Sequence, residues 1–305
     1  MASEIVALET YSIQRSITEP AHDAASLLAG VLQKKHVAVV SRYAVETEAT
    51  SALAANTLDR LWPKAESCDA TSTVLRLRKR KDEDEIAEIR ASLRLCAAAY
   101  RAARATIAEG LTEIDVYNAM QAAVTCEAGT SVLLSGDFAC GERGIRAGGP
   151  PTSRRIAAHD LYILDLFPAP ALYFGDTCRT FAVDAATDLQ HRAWETVREA
   201  IQLGEAAIKP GVCAKDVYVM IKDFLDSHDF TENSFWHHAG HGIGHHGHEA
   251  PRLIPGSVDI FEPGDVFTLE PGVYTQSLHG GIRLEDNYVV REHGLENLFD
   301  FPMKL

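Results

Sequence analysis

The chain has 305 residues, 46% of them hydrophobic and 24% charged, which suits a soluble globular protein of roughly one large or two ordinary domains with a sizeable core. A formal charge of −14 argues against nucleic acid or an anionic membrane as a main partner. No apolar run approaches the length of a bilayer span, and the opening MASEIVALETYSIQRS lacks the basic start and apolar core of a secretory signal. The six cysteines are scattered without a CxxC pair, the pattern of reduced thiols in a cytoplasm.

In chain order, residues 1–80 read as a small α/β unit. KHVAVVS (Lys35–Ser41) predicts a short buried strand, and TEATSALAANTLDRLWP a helix stopped at Pro63. RLRKRKDEDE then turns from positive to negative, and its acidic end suits a helix start, where the macrodipole favours carboxylates. The boundary between the two domains, 1–80 and 81–305, is placed near Lys79. Beyond it lies an internal repeat. GLTEIDVY from Gly110 and GVCAKDVY from Gly211 each follow an Ala-rich amphipathic helix, which suggests two similar α/β halves with a site between them.

Strands follow each helix pair. LYILDLFPAPALYFGDTCRTFAV predicts two strands joined across Pro168 and Pro170, with Asp165 and Asp176 opposite each other. DVFTLEPGVYTQSLHGGIRLEDNYVV repeats the arrangement, with Glu270 and Glu285 flanking a turn around Ser277 to Gly280. Carboxylates facing each other on a buried strand face repel and are costly without a cation. Two such pairs match the charge of two divalent ions held roughly 3.5 Å apart by bridging carboxylates. One neutral imidazole among oxygen ligands suits manganese, iron or cobalt, and zinc also fits. Imidazoles are abundant in HHAGHGIGHHGHEAPRL (His237–Leu253), which holds six of the thirteen histidines, at a spacing of neither a zinc finger nor a helical zinc-protease pair.

Together, DLFPAPALYFGDTCRTF, HHAGHGIGHHGHEAPRL, LEPGVY and GGIRLED resemble the pita-bread metallopeptidases, closer to the Xaa-Pro aminopeptidases and prolidases than to the methionine aminopeptidases. The resemblance runs from about residue 82 to the end and rests on four ordered motifs. It implies an α+β pita-bread fold with pseudo-twofold symmetry, here preceded by a truncated α/β unit. It also implies a site for two divalent metal ions with Asp165, Asp176, His241, Glu270 and Glu285 as ligands, Asp176 and Glu285 in the bridging or bidentate positions. By the same resemblance Glu270 is also the general base on the activated water, and His248 contacts substrate and stabilises the tetrahedral intermediate. His237 is the histidine of the proline-specific branch, and Arg283 orients the carboxylates from behind. His238, His245 and His246 match no family position and are expected at the solvent-facing rim. The implied substrate is a small peptide or amide, and the implied assembly a homodimer.

The resemblance breaks at one place. The family carries a further catalytic histidine about seventeen residues before the first aspartate. Here GERGIRAGGPPTSRRIAAHD has none in that position, and no histidine lies between His36 and His159. Residues from Arg146 to Pro151 are expected to wall the pocket there. One of Arg143, Arg146 and Arg154, with Arg146 the substrate-binding candidate, is expected to reach in and bind an anionic group through paired hydrogen bonds. Three readings follow: a metal-dependent hydrolase of the Xaa-Pro aminopeptidase or prolidase type, cleaving an amide with a dimetal-activated water; a lyase or hydrolase of a small non-peptide metabolite on the same centre; and a non-catalytic binding protein on this scaffold. The complete set of five ligand positions argues against the third.

Overall fold

The computed structural model describes residues 6–8, 19–35, 37 and 39–305. The chain divides into two compact units, Met1–Leu77 and Arg78–Leu305. In the first, α1 (Pro20–Lys34) precedes β1 (Arg42–Val45), α2 (Ala52–Leu61) and β2 (Glu66–Asp69), and β1 and β2 pair in parallel. Of the strand expected over Lys35–Ser41, His36 and Ala38 lie outside the described residues, and Val37, Val39 and Val40 are not in a strand. The strand begins immediately afterwards, where the Glu66 amide of β2 donates to Ser41 O at 2.9 Å and the paired register runs from Arg42 onward. Helix α2 starts at Ser51, whose hydroxyl accepts from the Ala54 amide at 3.2 Å, and ends before Pro63 as expected.

After α3 (Thr71–Lys79), the second unit opens with α4 (Glu83–Thr106) and α5 (Glu113–Ala128). The charge switch works as the sequence suggests: Asp82 and Glu85 cap α4 reciprocally, and Glu83 and Asp84 also sit in its first turn. Next come β3 (Gly136–Cys140), β4 (Leu161–Leu166) and β5 (Thr177–Ala182), an antiparallel sheet in that order. The second helix pair is α6 (Asp188–Ala207) and α7 (Ala214–Asp226). It leads into β6 (Gly240–Gly242), β7 (Glu249–Leu253), β8 (Val266–Leu269), β9 (Gly272–Thr275), β10 (Gly280–Arg283), β11 (Asp286–Arg291) and β12 (Gly294–Asn297). Five of these form a sheet ordered β12-β11-β8-β6-β7, and β9 and β10 form a separate ribbon. Helices and mainly antiparallel sheets thus share the unit, an α+β architecture.

The repeat is visible as matched hydrogen bonds. The Gly110 amide donates to Ile156 O and the Gly211 amide to Phe261 O, both at 2.9 Å. Thr112 bridges Arg155 in one half and Cys213 bridges Ile260 in the other. Both glycines have positive φ, +86° and +90°, which lets the chain turn sharply between paired helices. Two apolar cores fill the unit, one around Ile89, Tyr100, Met120 and Phe138 that also takes in Ile243 and Val266, the other around Trp194, Ile221, Phe261 and Phe267 that also takes in Leu161.

The halves are tied through Arg179, which is 1% exposed. Its guanidinium donates to Asp286 Oδ1 at 2.6 Å, to Glu285 O at 2.7 Å, to Cys178 O at 3.0 Å and to Phe301 O at 2.8 Å. Beside it, Cys178 and Glu285 pair as an antiparallel bridge. Arg179→Met would leave the buried Asp286 carboxylate without its cation, at a cost of about 3–5 kcal/mol. Urea unfolding of this variant is expected to show a loss in that range at unchanged slope, whereas a loss below about 1 kcal/mol would mean the clamp carries little.

Candidate metal centre

All five predicted ligands face one cavity of about 470 Å³ in the second unit. Asp165 is on β4 and pairs in register with Cys178. Asp176, two residues before Cys178, is therefore its diagonal neighbour on the same face rather than its direct opposite, a correction to the hairpin geometry expected from the sequence. The second pair does sit opposite. Gly272 pairs with Arg283 and Leu269 with Asp286, so the same register carried across the break at Pro271 sets Glu270 against Glu285. His241 lies on β6 between two glycines whose neighbours come too close for a side chain. A Cβ would stand 2.0 Å from Thr268 O at Gly240 and 2.0 Å from Ala250 O at Gly242. A bulge in β6–β7 falls between His241 and Gly242.

Asp165, Asp176, His241, Glu270 and Glu285 are all under a tenth exposed. His241 Nε2 stands 3.3 Å from Glu270 Oε1 and 3.7 Å from Asp176 Oδ2, and Asp176, His241 and Glu285 bring one ligand atom each within 4.8 Å of one another. His241 Nδ1 lies 3.0 Å from Gly242 O, so the nitrogen facing the carboxylates is the one left to accept or coordinate. Burial pushes the His241 pKa down to about 4, which keeps the ring neutral. Burial also pushes Asp165 up to about 6, against the pull of Arg283, and raises Asp176 and Glu285 well above the usual carboxylate range, with their mutual repulsion adding to it. Burial pushes Glu270 the same way, but contacts with His238, His241 and His237 outweigh it and hold its pKa low.

Among the described residues, neither oxygen of Glu285 and not Asp165 Oδ1 has a hydrogen-bond partner, although all three are buried. Unpaired buried carboxylate oxygens converging beside a neutral imidazole are the donor set of hard or borderline divalent cations, so these residues fit the implied metals. Arg283 supports them from behind: its guanidinium bonds Asp165 Oδ2 and donates to Tyr274 OH at 3.3 Å. Thr268 Oγ1 donates to Glu270 Oε1 at 3.0 Å. Thr268 was legible in principle, since strand alternation puts it on the same face as Glu270 two residues later.

The other histidines divide differently from expectation. His237 is half-buried, with Nε2 2.8 Å from Tyr274 OH and Nδ1 2.7 Å from His238 O, and burial lowers its pKa to about 4. His248 is exposed at the cavity mouth, stacked on the His241 ring at 3.8 Å between centroids. His238, expected at the rim, is a correction: it lines the cavity, and its Nδ1 makes an ion contact of 3.1 Å with Glu270 Oε1, too poorly aligned for a hydrogen bond. Burial opposes charge on this ring, but the Glu270 carboxylate outweighs it and raises the pKa. His237, His238 and Glu270 form a second cluster able to hold a cation. His245 and His246 are exposed; His245 contacts Leu172 O and His246 contacts Arg78.

The expected arginines do not reach this cavity. Arg146 is exposed and lines a separate depression with Glu142, Ile145, Gln276 and His279. Arg143 is spent on the buried Glu113 and on the carbonyls of Phe138 and Pro150, and Arg154 grips Asp160 at 2.7 and 3.1 Å. The guanidinium groups of Arg143 and Arg154 go to nearer structural partners that composition could not reveal. Instead, Ala147 and Asp137 line the wall where the missing histidine was expected.

Residues 87–292 match metallopeptidase family M24. The chain is similar to the uncharacterized peptidase YqhT of Bacillus subtilis, 31% identical over 241 residues that cover 79% of this chain and 68% of that protein. It is 30% identical over 224 residues to the Xaa-Pro dipeptidase of Pyrococcus furiosus, covering 73% of this chain and 63% of that protein. Among solved structures, the Xaa-Pro dipeptidase from Bacillus anthracis superposes with a TM-score of 0.82 at 26% identity, covering 92% of this chain and 78% of that one. With the matched segment spanning both halves of the second unit, the chain belongs to metallopeptidase family M24 and is a metallohydrolase on that family's pita-bread fold.

Proposed function

We propose that the protein cleaves the amide bond before proline in small peptides, as an Xaa-Pro aminopeptidase or prolidase acting on two divalent ions. The observation that carries this reading is the convergence of four buried carboxylates and neutral His241 in one cavity, with three carboxylate oxygens lacking any hydrogen bond among the described residues. Asp165, Asp176, His241, Glu270 and Glu285 would hold the ions, with manganese, iron or cobalt favoured by the oxygen-rich set and zinc also accommodated. When bound, the ions lower the pKa of water and neutralise charge developing on the scissile carbonyl.

The chain's own residues supply the rest. Glu270, held ionised by its histidine neighbours, takes a proton at its carboxylate from the attacking water and returns it to the leaving nitrogen. His248 at the mouth and His238 beside Glu270 present N–H groups to the carbonyl oxygen as it becomes an oxyanion. His237, pinned by Tyr274, shapes the floor beside them, and Phe167, Phe174 and Trp236 give apolar walls suited to a proline ring. Residues 1–80 would be a reduced α/β domain ahead of a catalytic domain over 81–305. A homodimer in a reducing cytoplasm, where the six free thiols persist, completes the reading. Among the described residues no helix is long and apolar enough to cross a membrane.

Manganese-loaded protein is expected to hydrolyse Xaa-Pro dipeptides faster than their Xaa-Ala counterparts, and hydrolysis of neither would overturn the assignment. Asp176→Ala and His241→Ala should lower the metal count by elemental analysis while circular dichroism stays native. His248→Ala should keep its metal and lose about 100-fold in kcat/KM, the scale of one oxyanion donor. His246→Ala should be nearly silent; equal damage at both positions would show that the roles in this loop are shifted.

A pH dependence follows from the carboxylates. In metal-free protein the raised pKa values of Asp165, Asp176 and Glu285 make their contribution to stability greatest while they are protonated, and the share of Asp165 is lost as pH rises through about 6. Metal replaces those protons, so the gain in Tm on adding manganese should grow between about pH 5 and pH 7.5, with proton release seen by calorimetry in buffers of different ionisation enthalpy. A gain independent of pH would place the metal elsewhere.

A further inference from the structure

The wall of the cavity carries a fifth acid that the proposed chemistry does not use. Asp137, on β3, pairs in register with Asp165 and lines the cavity, its side chain 37% exposed. Its Oδ1 accepts the Gly149 amide at 2.9 Å, which fixes the carboxylate. Its Oδ2 accepts no hydrogen bond among the described residues and meets only Arg283, at an ion-pair distance of 3.7 Å. Arg283 is already committed more closely to Asp165 and Tyr274, so this second contact neutralises Asp137 weakly.

Gly148 explains how the acid comes to be there. Its backbone is not in the left-handed region, so conformation does not demand glycine. What excludes a side chain is Asp137 itself, since a Cβ at Gly148 would stand 2.2 Å from Asp137 Oδ2. The carboxylate thus fills space that any larger residue at 148 would claim, and Gly148 falls about seventeen residues before Asp165, where the expected histidine is missing. Five carboxylates, the Arg283 guanidinium and four imidazoles are the ionisable groups that line the cavity. Two divalent ions and Arg283 would offset the five carboxylates in sum, but Arg283 bonds Asp165 and stands 3.7 Å from Asp137, so the Asp137 carboxylate is the one left without a close cation.

We propose that Asp137 is a specificity residue that binds a cationic nitrogen, an ammonium or guanidinium, on the substrate residue preceding the scissile bond. This rests on the hydrolase reading above and replaces the expectation of an anionic substrate group. A carboxylate held by one backbone amide, with its other oxygen free toward the cavity, accepts a charge-assisted hydrogen bond without rearrangement. The cation is the α-ammonium or a basic side chain, and one experiment separates the two.

The test uses the manganese-loaded full chain, wild type and Asp137→Asn, which keeps the Oδ1 acceptor for Gly149. One arm measures kcat/KM on lysyl-proline and norleucyl-proline, which differ in side-chain charge. The other measures calorimetric binding of L-lysine, L-norleucine and N-acetyl-L-norleucine, so that it does not depend on turnover. Wild type is expected to prefer the cationic member of the lysine–norleucine pair or of the norleucine–acetylnorleucine pair by about tenfold or more, and Asp137→Asn to lose most of that preference. Gly148→Ala, which displaces the carboxylate, should lose it likewise. No preference in wild type, or an undiminished one in Asp137→Asn, overturns the proposal. So does a fall in the metal count of Asp137→Asn, which would make Asp137 a support of the metals. Failure to hydrolyse either dipeptide strikes the hydrolase reading alone, because the binding arm still decides the role of Asp137.

Discussion

Repulsion among buried carboxylates is the constraint around which the catalytic unit is arranged. Asp165, Asp176, Glu270 and Glu285 converge where water cannot solvate them, with one guanidinium, Arg283, in direct contact. Such a cluster is tolerable when protonated or when filled by cations, and the raised pKa values of three of the four express that choice. The surrounding structure serves to hold the acids against their repulsion. Two hairpins from different halves present them, Arg179 clamps the backbone beside Glu285, and Thr268 and Arg283 fix individual oxygens.

The duplicated architecture accounts for how one chain places acids so accurately. Each half repeats a helix pair, a positive-φ glycine and a matching backbone hydrogen bond, and two apolar cores interlock across the halves. Ligands drawn from two rigid cores are set by packing rather than by loop conformation. The histidine segment adds an asymmetric part. Its Gly-His-Gly core is a short strand squeezed between neighbouring backbones, whereas the histidines after it lie at or beyond the cavity mouth.

Asymmetry also marks the opposite wall. Where the resemblance implies an imidazole, this chain has Gly148, and the Asp137 carboxylate lies where a side chain at 148 would go. All five candidate metal ligands are still present, and the cavity gains an acid beside them. Under the proposed reading that acid bears on substrate choice rather than on metal binding.

Much was legible from residue order alone. Alternation along strands placed acids on one face, the charge switch at Asp82 marked a helix start, and the Gly110 and Gly211 repeats marked two halves, because each signal depends on neighbours within a few residues. The five candidate ligands were named from ordered motifs through a family resemblance, and the fold brings all five to one cavity. Tertiary structure decided what depends on distant partners. The Asp165–Asp176 relation is diagonal because the loop between their strands sets the register, and His238 turns inward because Glu270 lies beside it. Arg143 and Arg154 could not be placed by sequence, since a long cationic side chain goes to the nearest buried acid or carbonyl, and Glu113 and Asp160 become near neighbours only in the fold, while Arg146 lies exposed at a separate depression. Asp137 carries no signal for the complementary reason: an isolated aspartate looks like any other in sequence, and its meaning comes from the space at Gly148 that its carboxylate fills.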